Sequence, residues 1–112
     1  MHDDGVLRLA RTDHPPGLVI AGEIDEAGYP ALIVALGAVR ELAEVHVGMA
    51  EVSYCDLAGL RAIVLLADPG PGQHRRVVLD QLPPQLLTVL RIVGWDTTPG
   101  LTIVKRGSAG PV

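Results

Sequence analysis

The sequence predicts a single α/β domain: a small, mixed but mostly parallel sheet with helices mainly on one face, in the order β-β-α-β-α-β-α-β. A length of 112 residues holds one domain and no second. Hydrophobic residues make up 48% of the chain against 20% charged, so it can bury a core. Phe is absent and only Tyr29, Tyr54 and Trp95 are aromatic, so that core must be aliphatic. After two strand-like runs joined by a turn, strand and helix patterns alternate to the end, which implies parallel strands linked by crossover helices.

Residues 6–10 (Val-Leu-Arg-Leu-Ala) alternate apolar and polar, as a half-buried strand does. His14-Pro15-Pro16-Gly17 makes a turn, because proline fixes φ and glycine permits reversal. The apolar run 18–22 then reads as the second strand of a hairpin. A helix is expected over about 27–43, with Leu32, Leu36, Val39 and Ala43 on one face at i, i+4, i+7, i+11. Ile33, Val34 and Ala38 are apolar off that stripe, so this helix is either covered by another surface or tucked deeply between neighbours.

Residues 45–49 read as the third strand, 51–56 as a loop and 57–67 as an apolar helix whose free N–H groups Asp56 can cap. The run 68–72 (Asp-Pro-Gly-Pro-Gly) stops that helix and turns the chain. A fourth strand follows at 76–80. Pro83-Pro84 opens a third helix, with Leu86, Val89, Leu90 and Val93 facing inward and Gly94 as its C-terminal cap. Residues 101–104 form the last strand. The domain is thus expected over 6–104, between an N-terminal tail (1–5) and a flexible C-terminal tail (105–112), with no internal repeat.

Composition excludes several functions. A net charge of −4 and a pI near 5.4 argue against nucleic-acid binding, and three scattered rings offer few stacking platforms. One cysteine, Cys55, rules out a disulfide framework and a cysteine-based zinc site. No apolar run approaches the ~18 residues of a membrane span, and the acidic start (His2-Asp3-Asp4) is unlike a signal peptide. A cytoplasmic protein is therefore expected. Eight of the nine cations are Arg, a bias that suggests a GC-rich, bacterial coding sequence. Residues 1–56 hold ten acids and three bases, a net of −7; residues 57–112 hold three acids and six bases, a net of +3. Such polarity either steers a charged partner or is chance variation.

Candidate chemistry is sparse. His2, His14, His46 and His74 never pair at i+3 or i+4, so no metal site is expected. Ser53, Cys55 and Asp56 lie together without a histidine near in sequence to serve as base. Glu23 and Asp25 flank a strand end, where acid–base work would need burial to separate their pKa values. Lys105 is the only lysine and belongs to no phosphate-cradling loop. Neither catalysis nor a cofactor is expected.

Three motifs at the element junctions do carry a resemblance. Gly22-Glu23-Ile24-Asp25 follows the second strand; Val52-Ser53-Tyr54-Cys55-Asp56-Leu57-Ala58-Gly59-Leu60 leads into the second helix; Val93-Gly94-Trp95-Asp96 ends the third. In this order the chain resembles, over about residues 6–104, the STAS domain of bacterial anti-sigma factor antagonists. Those proteins carry a Gly-Glu-[Ile/Leu/Val]-Asp turn, an Asp-Ser-[Ser/Thr/Ala]-Gly-Leu segment and a Gly-Leu-Asp after the last helix. The resemblance implies a non-enzymatic domain that binds a serine-protein-kinase-like anti-sigma factor and so regulates transcription. It also implies a surface made of Glu23, Asp25, Ser53, Asp56, Leu57, Ala58 and Gly59.

The chain departs from the pattern at one decisive place. Leu57 stands where the family has its phosphoacceptor serine, and leucine has no hydroxyl to phosphorylate. Gly48 falls where many relatives have an aspartate. Either the switch has been removed while the binding tip remains, with Leu57 as an apolar anchor, or Leu57 turns into the core and the surface is gone. Cys55, two residues before it, is either a redox replacement for the switch or a small buried apolar residue. Two further readings remain open: an orphan STAS module that forms a homodimer through its apolar first helix, and a small-molecule sensor or cryptic enzyme using Glu23, Asp25 and Asp56.

Overall fold

The strand-forming runs assemble into one six-stranded sheet in the computed structural model, which describes residues 2–68 and 75–105. The strands are β1 (His2–Asp3), β2 (Leu7–Asp13), β3 (Pro16–Ile24), β4 (Glu44–Cys55), β5 (Arg76–Leu82) and β6 (Leu101–Lys105), and they lie side by side in chain order. β1, β2 and β3 pair antiparallel, whereas β3 through β6 pair parallel. The crossovers are α1 (Tyr29–Ala38), α2 (Leu57–Val64) and α3 (Pro84–Val93). Each crossover steps to the next strand in the same direction, and right-handed connections then place all three helices on one face. The core lies between: Leu9, Leu18, Ile20, Val47, Met49 and Leu79 from the sheet meet Leu32, Leu36, Leu60, Ile63 and Leu90 from the helices. The predicted fold class therefore holds, with one strand more than expected.

That extra strand comes from the segment read as an N-terminal tail. His2 and Asp3 pair with Leu9 and Arg8, and the turn behind them is tied by Asp4, whose Oδ1 accepts N–H bonds from Leu7 (2.7 Å) and Val6 (2.8 Å). Those two backbone donors, Leu7 first, hold the Asp4 carboxyl down at about 2. At the other end Lys105 closes β6, and residues 106–112 lie outside the described residues, as do His74 and positions 69–72 of the expected turn.

The first helix is shorter than its pattern. A single 3-10 turn (Glu26–Gly28) precedes α1, which ends at Ala38; Val39 is still buried, but Ala43 is exposed. Ala43 is drawn into the sheet instead, where its carbonyl accepts the Arg76 N–H at 2.9 Å. The expected loop at 51–56 is also corrected, because β4 runs on to Cys55 beside β3. Register shifts between Val19 and Ala21 and between Gly22 and Glu23 break the alternation there, so Ala50 and Glu51 are both exposed before Val52 is buried again. In α3 the buried residues are Leu86, Leu87 and Leu90, whereas Val93 faces solvent; Gly94 caps the helix at φ 78°, as predicted. Among the described residues no helix is long and apolar enough to cross a membrane.

Candidate functional site

Parallel pairing places the ends of β3 and β4 side by side, with Glu23 opposite Tyr54 and Ile24 opposite Cys55. The Asp56 N–H donates to the Ile24 carbonyl at 3.0 Å, so the Glu23–Asp25 turn and the 53–59 segment form one continuous edge. The structure thus brings together all seven residues singled out from the sequence. Two of them do local structural work. Asp25 Oδ1 accepts the Gly28 N–H (3.2 Å) and starts the 3-10 turn, and Asp56 Oδ1 accepts the Gly59 N–H (2.8 Å) and caps α2, as its position predicted. Gly59 is buried for a steric reason, since a Cβ there would come within 2.5 Å of the methyl Cγ2 of Ile24, itself fully buried. Lacking that carbon, α2 starts hard against the end of β3.

The remaining residues form the surface. Glu23, Ser53, Leu57 and Ala58 are exposed. Leu57, the first residue of α2, does not turn into the core: 52% of it faces solvent on a capped helix tip. Tyr54 is equally exposed and was not singled out from the sequence. Its signal was an aromatic residue inside the motif, a residue type enriched at interfaces. Beside it a shallow groove of about 220 Å³ runs between the end of β4 and the start of α3, lined by Tyr54, Cys55, Pro83, Gln85 and Val89.

Cys55 is half-buried and its thiol donates to the Asp56 carbonyl at 3.4 Å. Burial, and secondarily the negative charge of Asp56, pushes its pKa up to about 12 from 9.0. The thiolate that redox switching needs is thus suppressed at neutral pH, against the redox expectation. The sign of the linkage is testable. The folded-state pKa is raised, so Cys55 contributes its stability below pH 9 and loses it as pH rises toward 12. Urea denaturation should show stability falling across that window more steeply in the wild type than in Cys55→Ala, and equal slopes would contradict the burial of the thiol.

His2 pairs with Asp4 and His46 with Glu44, each at 3.3 Å, so neither serves Ser53 or Cys55 as base. Among the described residues no cluster of three His, Cys, Asp or Glu side chains is placed to hold a metal ion. Glu23, Asp25 and Asp56 line neither the groove beside Tyr54 nor the clefts of about 320 and 600 Å³ elsewhere on the described surface.

Comparison with known proteins places the fold. The family model described as "Mlab, STAS domain" matches residues 7–105. A crystal structure of an anti-sigma factor antagonist from Mycobacterium paratuberculosis superposes with a TM-score of 0.69 at 22% sequence identity, covering 91% of this chain and 90% of that one. At that identity the likeness is one of fold. An uncharacterized protein from Shewanella loihica with a SpoIIAA-like fold gives a TM-score of 0.48 at 12% identity, over 96% of this chain and 93% of that one. Among curated proteins nothing matches.

Proposed function

The chain belongs to the STAS domain family, and from that premise we propose that it is a non-enzymatic regulator that binds a kinase-like anti-sigma factor. The binding surface in this reading is the edge formed by Glu23, Asp25, Ser53, Asp56, Leu57, Ala58 and Gly59, with Tyr54 added. One observation carries it: an exposed leucine stands at a capped helix tip, at the position where the resemblance puts a phosphoacceptor serine. An apolar side chain presented there suits a pocket on a protein partner and loses nothing in the free domain. Without a hydroxyl at residue 57, phosphorylation of that residue cannot end the interaction, so the domain binds constitutively or takes its signal elsewhere. The setting of this reading is transcription control in the bacterial cytoplasm.

The test uses the tagged full chain as bait in lysate of its own source, beside a Leu57→Asp control. Capture of a kinase-like anti-sigma factor by the wild type alone supports the reading. Capture of no such protein, or of the same one by both baits, overturns it.

A second reading is favoured by α1. This helix contains no charged residue, yet Ile33, Val34 (72% exposed), Gly37 and Ala38 face solvent. An exposed helix that is apolar all round is ordinarily covered in the working assembly. A Cβ at Gly37 would meet nothing within 4 Å, so a second α1 has room to approach closely. The expected result is a species of twice the 11.8 kDa chain mass in sedimentation, reduced by Val34→Glu to a monomer that keeps the wild-type circular dichroism spectrum. A monomeric wild type at high micromolar concentration would exclude the homodimer.

A further inference from the structure

We propose that a cleft where β5 and β6 begin, lined on one side by α2, binds a small aromatic carboxylate. Its volume of about 600 Å³ falls in the range of small-molecule sites, roughly 300–1,000 Å³. Three separated segments build it: the second half of α2 with the turn after it, the approach to β5, and the stretch from Trp95 to Gly100 that leads into β6. α2 carries Leu57 as its first residue, and Arg61 one turn on, Val64 and Leu65 just past its end line the cleft.

The lining names the ligand class. Val64 and Ala67 supply an apolar wall, and the indole of Trp95 supplies a flat one against which an aromatic ring can stack. Two arginines, Arg61 and Arg75, line the cleft with a single acid, Asp68, which has an interaction of its own. Arg61 is exposed, and among the described residues its side chain makes neither an ion pair nor a hydrogen bond, unlike Arg8 with Glu51 and Arg76 with Glu44. Arg75 donates one bond to the Val39 carbonyl (3.4 Å), while its buried Nε has no hydrogen-bond partner among the described residues. Arg61 thus offers an unpaired guanidinium at the cleft, and a carboxylate is the acceptor whose two oxygens match an arginine fork. A flat apolar slot with surplus guanidinium charge selects a ring carrying a carboxylate over a bare anion or a neutral ring.

The only tryptophan of the chain lies in this cleft and reports on it directly. Titrating the full-length protein with phenylacetate and with benzoate should change Trp95 fluorescence saturably, with Kd in the millimolar range or below. Acetate, inorganic phosphate and 2-phenylethanol should give no saturable change over the same range. Arg61→Ala, a substitution on an exposed helix position, should weaken the carboxylates by about tenfold, the value of a charge-assisted bond. Absence of saturation with both aromatic carboxylates overturns the proposal. So does an equal response to phosphate, or undiminished affinity in Arg61→Ala. Leu57→Ser, which brings no charge within a turn of Arg61, should leave the titration unchanged, so this site and the partner-binding edge fail or succeed separately.

Discussion

Leu57→Asp should weaken capture of the kinase-like partner by at least about 30-fold in Kd, the loss expected of an interface hot spot worth about 2 kcal/mol or more. The melting temperature should stay within a few degrees of the wild type. Both halves of this expectation come from the position of the side chain. Leu57 is half out of the domain already, so removing it uncovers little core. An aspartate at the first residue of α2 is also favoured by the helix dipole, which offsets the small loss of packing. In the complex the same carboxylate would be forced into an apolar pocket beside Asp56, where neither desolvation nor repulsion is compensated.

Leu57→Ser completes the experiment. It restores a hydroxyl at the tip while Asp56, Ala58 and Gly59 keep their places, so a cognate kinase should label it and the label should end binding. A phosphate there adds a charge of about −1.5 to −2, the same kind of change as Leu57→Asp and larger. If Leu57→Ser takes no label from a kinase that the wild type binds, residue 57 is not the equivalent of the phosphoacceptor. If Leu57→Asp binds as tightly as the wild type, the tip is not the interface.

What could be read beforehand was whatever one stretch of chain decides by itself. The Asp56 cap and the Gly94 terminator are hydrogen-bond problems solved within four residues, and both stand where the sequence placed them. The pairing of Glu23 with Tyr54 joins residues about thirty positions apart, and only the resemblance of the motifs brought them together. Period-two reasoning lost the second half of β4 because the register shifts expose two consecutive residues, Ala50 and Glu51. It lost β1 because two residues are too short to show any period. The first helix was drawn five residues too long because apolar spacing continues past Ala38 while the backbone turns toward β4. The cleft at Trp95 had no sequence signature at all, since three segments contribute to it and no local pattern joins them.

Gly22→Ala should be the most damaging single-methyl change near the site, costing about 3 kcal/mol or more. Two costs combine at this residue. Its φ of +92° lies where a Cβ is strained, worth about 1–2 kcal/mol, and that Cβ would overlap the carbonyl of Val6. The obstacle is backbone, so no side-chain rotation relieves it, and overpacking of this sort adds about 1–3 kcal/mol. The same Val6 carbonyl accepts the Glu23 N–H at 2.9 Å, so moving it loosens the turn that carries Glu23 and Asp25. For a domain of this size each kcal/mol lowers the melting temperature by about 4–8 °C, so a fall of roughly 12–24 °C is expected. Partner binding should fall with the fold, unlike Leu57→Asp, where binding is lost and the fold kept. Gly37→Ala gives the contrasting control: that glycine lies within α1, a Cβ there meets nothing, and alanine should raise stability by up to about 1 kcal/mol. A denaturation midpoint for Gly22→Ala equal to that of the wild type would mean that the Val6 carbonyl, just before β2, does not lie against Gly22.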